Sequence, residues 1–132
     1  MDIGDLSMDL TFDPKGDGFS KVLKDYQEEA MKFVWENDTA VTSRDVWHHV
    51  NEAFGGEKTI SRASIINFLN DMVEEGVLDY EEQSGKGGYH RVYHSKLDES
   101  GFKKAIAKSV ISSLMRDFPE ETNEVLKQLI SK

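Results

Sequence analysis

The sequence predicts a mainly α fold in which three helices lead into a two-stranded β-hairpin and further helices follow. Three observations predict it. Apolar residues recur three and four apart through most of residues 21–75, the period of a helix with one buried face. Two short alternating, aromatic-rich runs, 78–82 and 89–94, flank the glycine-rich Gln83-Ser84-Gly85-Lys86-Gly87-Gly88, as strands flank a hairpin tip. Beyond Gly101 the period returns to that of a helix.

Residues 1–20 carry no sustained periodicity and are expected to form an acidic, mobile extension. Asp13-Pro14-Lys15-Gly16-Asp17-Gly18 is a cluster of turn formers. Asp13, Asp17 and Gly18 match part of a calcium-binding loop. Lys15 stands at its third ligand position and Lys24 at its twelfth, where a bidentate Glu is required, so the segment reads as a turn.

From about Lys21, the residues Leu23, Tyr26, Ala30, Phe33 and Val34 form an apolar stripe that Met31 and Trp35 widen, and Asn37-Asp38 ends the first helix. Thr42-Ser43-Arg44-Asp45 reads as a capping box that opens the second, with Val46, Trp47, Val50 and Phe54 on one face and Gly55-Gly56 as the stop. The third runs from about Ser61 to Glu75 and closes at Gly76. A turn of 100° per residue puts Ile65, Ile66, Phe68, Leu69, Met72 and Val73 on one arc. Ala63, Ser64, Asn67, Asn70, Asp71 and Glu74 occupy the other. The wheel turns Arg62 toward the core arc, so it reaches solvent only from a first-turn position. Three helices followed by a hairpin is the layout of a winged helix-turn-helix domain, here residues 21–96.

The remaining segment, 97–132, is expected to be a helical dimerisation region. Phe102, Ala105, Ile106, Val110, Ile111, Leu114 and Met115 are apolar around more than half of a helix, which then needs a cover. A second copy of the chain is the expected one, with Phe102, Ile106, Val110, Ile111, Leu114 and Met115 at the contact. Pro119 suits the first position of a final helix, and Glu120 and Glu121 suit its positive end.

Composition narrows the function. Of 132 residues, 38 % are hydrophobic and 31 % charged, the balance of an ordinary domain with a core. No Cys is present, which excludes disulfides, thiolate metal sites and cysteine nucleophiles. No stretch approaches the roughly 18 apolar residues of a membrane span. The start, Met1-Asp2-Ile3-Gly4-Asp5, lacks a cationic leader, so a cytoplasmic location is expected. No phosphate-binding loop ending in Lys-Ser/Thr, no GxSxG and no HExxH occurs, and no enzyme activity or cofactor is expected. His48 and His49 are adjacent, and His90 and His94 share a strand face. Without Cys or a well-spaced acid they read as surface and wing residues, not as a metal site.

Net charge is −9, moving from −4 over residues 1–20 to 0 over 97–132, with no net-basic segment. That weighs against nucleic acid as a partner. It favours a rival reading in which a winged helix binds protein within a transcription or scaffolding complex.

Four segments resemble the penicillinase-repressor family of transcription regulators: Glu28-Glu29-Ala30-Met31-Lys32-Phe33-Val34-Trp35-Glu36, Val41-Thr42-Ser43-Arg44-Asp45-Val46, Leu69 through Leu78, and Arg91-Val92-Tyr93. Leu114-Met115-Arg116-Asp117-Phe118 extends the similarity to that family's dimerisation helix, so that it spans about residues 23–130. The resemblance implies a homodimeric repressor on a pseudo-palindromic operator in double-stranded DNA. It implies that Ser61, Arg62, Ser64 and Asn67 lie where the recognition helix meets DNA, and that Lys86, His90 and Arg91 lie in or beside the wing. The chemistry agrees: Asn pairs bidentately with adenine, Ser reads base edges or phosphate, and each Arg or Lys at phosphate displaces about one counterion.

Overall fold

A computed structural model describes residues 11–85 and 87–131. Residues 1–10 of the expected extension, Lys86 of the wing and Lys132 lie outside the described residues. A turn at Asp13 opens the described chain. Lys15 N–H donates to Asp13 Oδ1 at 2.9 Å and Asp13 N–H to the Lys21 carbonyl at 2.7 Å. A single 3-10 helix, Gly18–Lys21, follows.

The first helix, α1 (Asp25–Glu36), starts four residues later than its apolar stripe suggests, because Leu23 is buried from the preceding loop. Strand β1 (Val41–Thr42) leads directly into α2 (Ser43–Phe54). Thr42 Oγ1 accepts from Asp45 N–H at 3.1 Å while Asp45 Oδ2 accepts from Thr42 N–H at 3.1 Å, the reciprocal cap expected from the sequence. Gly55, at φ 56°, supplies the left-handed residue that stops α2.

Helix α3 (Arg62–Glu74) buries Ile65, Phe68, Leu69 and Met72. Its end is a Schellman motif: Gly76 N–H donates to the Val73 carbonyl and Val77 N–H to the Met72 carbonyl. Gly76, at φ 79°, permits the reversal, and the fully buried Val77 anchors it. This stop delivers the chain into β2 (Leu78–Gly85), which pairs antiparallel with β3 (Gly88–Ser95) from Leu78↔Ser95 to Gly85↔Gly88.

The sheet has three strands, ordered β1-β3-β2, where the sequence predicted two. The third is β1, held by the pairs Val41↔Tyr93 and Thr42↔Val92. Trp35 on α1 secures the far end, its indole N–H donating to the Leu97 carbonyl at 3.0 Å. The core of this unit joins Ala30, Met31 and Val34 with Val46 and Val50, Ile65, Phe68, Leu69 and Met72 of α3, and Leu78, Val92 and Tyr93, while Ile66 and Val73, expected on the same inner arc, are half-buried.

The chain divides into two compact units, one ending at Glu99 and the other beginning at Ser100. The second is carried by α4 (Glu99–Asp117) and α5 (Pro119–Ile130), with Pro119 opening α5. Phe102 and Ala105 are buried within the single chain. Phe102 therefore has no surface to offer a second copy, a correction to its expected place on the dimer face. Ile111, Leu114, Phe118, Val125, Leu129 and Ile130 are exposed, and Ile106, Val110 and Met115 are half-buried.

Candidate nucleic-acid interface

The start of α3 is fixed by a polar lock on Ile60. Asn51 Oδ1 accepts from Ile60 N–H at 2.8 Å, and its Nδ2 donates back to the Ile60 carbonyl at 3.1 Å. Trp47 Nε1 donates to the same carbonyl at 2.9 Å. Two side chains of α2 thus satisfy the backbone just ahead of α3, which aims its first turn. Ser61 caps that turn by accepting from Ser64 N–H at 3.1 Å, and the two hydroxyls lie 2.9 Å apart. Capping is therefore the work of Ser61 in the free protein. Asn67 stands exposed on the outer arc, as the helical wheel indicates.

The wing is tied to α3 by a second lock. Asn70 Oδ1 accepts from Arg91 Nη1 at 3.0 Å and from the Tyr93 hydroxyl at 2.7 Å. The Arg91 guanidinium also lies over the Tyr80 ring, 3.9 Å from its centroid, a cation–π contact across the hairpin. Burial holds the Tyr93 phenol above its ordinary pKa, against the opposing effect of the Arg91 charge.

Between the start of α2, one flank of α3 and the wing opens a cavity of about 740 Å³. Arg44, Arg62, His90 and Arg91 line it, and Glu82 is the lone carboxylate on its wall. Local charge here is positive in a chain whose net charge is −9. Like-signed charge focused in a concave site attracts an anion more strongly than the net charge indicates. Arg62 is the first residue of α3 and is exposed, the first-turn position from which it can reach outward.

The structure brings three of the sequence-derived residues, Arg62, His90 and Arg91, to this cavity. Ser61, which caps α3, and Ser64 and Asn67 on it lie outside its lining. The α3 residues that do line it, Arg62, Ile66 and Asn70, are four apart and form a single stripe. Arg44 and Asn70 were missed. The capping box did place Arg44 in the first turn of a helix, and the wheel did place Asn70 outward, but nothing local in the sequence brings the wing over them.

His48 and His49 are engaged in ring packing. His48 lies against Trp47, with centroids 4.8 Å apart. His49 stacks on Phe33 at 4.5 Å, with Nε2 3.7 Å from Glu29. Among the described residues, no group of three or more His, Asp or Glu is arranged to hold a metal ion, and no helix is long and apolar enough to cross a membrane.

A possible transcriptional regulator from Methanosarcina mazei has a similar solved structure, with TM-score 0.55 and 15 % identity over 80 % of this chain and 78 % of that one. The ferric uptake regulator of Helicobacter pylori matches with TM-score 0.43 and 23 % identity over 55 % of this chain. The matched part spans 46 % of that regulator's length. A search of curated proteins gave no match. The Methanosarcina likeness supports the fold, a mainly α winged helix with a β wing. The sequence model of the penicillinase repressor family matches residues 23–132, which include both side-chain locks, the wing and the two C-terminal helices. The chain belongs to the penicillinase repressor family of transcriptional regulators.

Proposed function

We propose that this protein binds double-stranded DNA as a homodimer and represses transcription from a two-fold symmetric operator. The observation that carries the reading is the convergence of Arg44, Arg62, His90 and Arg91 on one groove between the first turn of α2, α3 and the wing. Arg44 and Arg62 sit in the first turns of two helices, where backbone N–H groups and the helix dipole also favour phosphate. Asn67, exposed on the outer arc, supplies a bidentate partner for adenine. Apolar residues left uncovered on α4 and α5 supply the contact between copies.

Two exposed acids on α3, Asp71 and Glu74, favour the rival, a protein-binding winged helix. They lie toward the C-terminal half of the helix, whereas base edges are read from the N-terminal half. Their effect is to weaken binding to random DNA.

Two variants separate the roles. Asn67→Ala is expected to cost about 1–3 kcal/mol on the preferred duplex and to relax preference at one base pair. Arg44→Ala is expected to weaken all duplexes alike and to make the salt slope shallower by about one. Fluorescence anisotropy of the full-length protein across a salt series reads both. Variants that both match the wild type would remove the residue-level basis for DNA reading and leave the protein-binding rival.

A further inference from the structure

We infer that Asn70 is the positioning residue of the DNA interface: its Oδ1, shared by Arg91 and Tyr93, holds the wing against the recognition helix so that both meet DNA in one fixed relation. The inference rests on the DNA reading and deepens it. Arg91 can only donate, so the atom of Asn70 that faces it must be the oxygen, which settles the orientation of the amide. Both side-chain hydrogen bonds that join α3 to the wing among the described residues end on that atom.

The base of the hairpin is held by β1 and by Leu78, Val92 and Tyr93 in the core, but its outer half has little else to hold it to α3. Gln83, Ser84, Gly85, Gly88, Tyr89 and His90 are exposed, and their strand pairs tie the two arms to each other and not to α3. Arg91 completes the lock, because the same guanidinium that reaches Asn70 lies on the Tyr80 ring of the opposite strand. One α3 side chain therefore reaches β3 directly and β2 through Arg91, beyond the part of the hairpin that the core already fixes.

The choice of an amide also fits the groove. A carboxylate would pair more strongly with Arg91, but it would add a second negative charge, beside Glu82, to a wall that holds Arg44 and Arg62. A neutral acceptor fixes the wing and leaves the charge of Arg44 and Arg62 available to phosphate.

The test uses full-length Asn70→Ala and Asn70→Asp, with amide hydrogen exchange of the free protein and binding to a panel of duplexes altered one base pair at a time. In Asn70→Ala, wing amides around Arg91–Tyr93 should exchange about tenfold faster while α1 amides hold. Affinity should fall about tenfold. Preference should flatten at the base pairs under the wing and persist at those under the start of α3. Asn70→Asp restores the acceptor, so it should restore wing protection while still binding DNA more weakly than the wild type. A protein that had only lost stability would bind with a smaller active fraction and an unchanged preference profile. Wild-type binding with an Asn70→Ala profile and wing exchange like the wild type, or with all positions changed equally, overturns the inference alone. Wild-type protein that retains no duplex overturns the DNA reading beneath it, whatever the wing does.

Discussion

Replacing Leu114 and Leu129 together by Asp is expected to convert a full-length dimer into a monomer and to weaken operator binding by roughly 10²-fold or more. Leu114 on α4 is 41 % exposed and Leu129 on α5 is 61 % exposed, beside exposed Ile111, Val125 and Ile130. So many large apolar side chains in contact with water mark a contact surface. Two carboxylates there would have to be desolvated at the contact, which costs far more than the lost apolar area. Since both positions face water in the single chain, the substitutions should leave its own helices intact, which circular dichroism checks. The DNA effect is larger than either charge alone would cause, because a monomer engages one half-site and loses the linked second one. Sedimentation velocity at micromolar concentration reads the association state. A wild-type monomer, or a double variant that still sediments as a dimer, would refute the assignment of this face.

On α3, Phe68→Ala is expected to destabilise the protein by about 3–5 kcal/mol, a large share of the 5–15 typical of a domain. Phe68 is 2 % exposed and meets the Tyr26 ring edge-on, with centroids 6.4 Å apart. Truncation removes a ring from a site enclosed by helices that cannot all close in, so lost transfer energy and a residual cavity add. Its neighbour Asn67 points to solvent, and Asn67→Ala should change stability by no more than about 0.5 kcal/mol. Denaturant unfolding of both variants thus separates adjacent positions into one that holds the fold and one that serves binding. A loss below about 1 kcal/mol at Phe68 would contradict its place in the core.

Much of this architecture is local and could be read before any coordinates. The cap at Thr42, the stop at Gly76 and the proline opening α5 each depend on a few consecutive residues, and periodicity supplied most of the buried face of α3, whereas the capping role of Ser61 shows only in the structure. Strand β1 was not legible, since two residues show no alternation and Val41–Thr42 becomes a strand only by pairing with Tyr93 and Val92. The hairpin arms run longer than their aromatic cores, because Gln83, Ser84 and Gly85 are exposed and carry no apolar signal.

The site was half legible for the same reason. A helical wheel separates inside from outside, and so it put Asn67 on the exposed face. It cannot say which part of the outside another element covers. Folding of the wing onto α3 selects a stripe along the border of the two arcs, with Arg62 and Ile66 from the side the wheel turns inward and Asn70 from the outer one, and it brings Arg44 within the same groove from a helix start some twenty residues earlier in the chain. Phe102 shows the converse limit. Its apolar character was plain, but whether its own chain or a second copy buries it is a tertiary fact.

The most direct test of the central claim is a selection from random duplex DNA at low salt, sequencing what the folded full-length protein retains. DNA reading by a homodimer predicts a two-fold symmetric motif whose half-sites lie one helical turn apart, about 10 base pairs, or a multiple of that. Retention of no sequence above the starting pool, by protein shown to be folded, would contradict it.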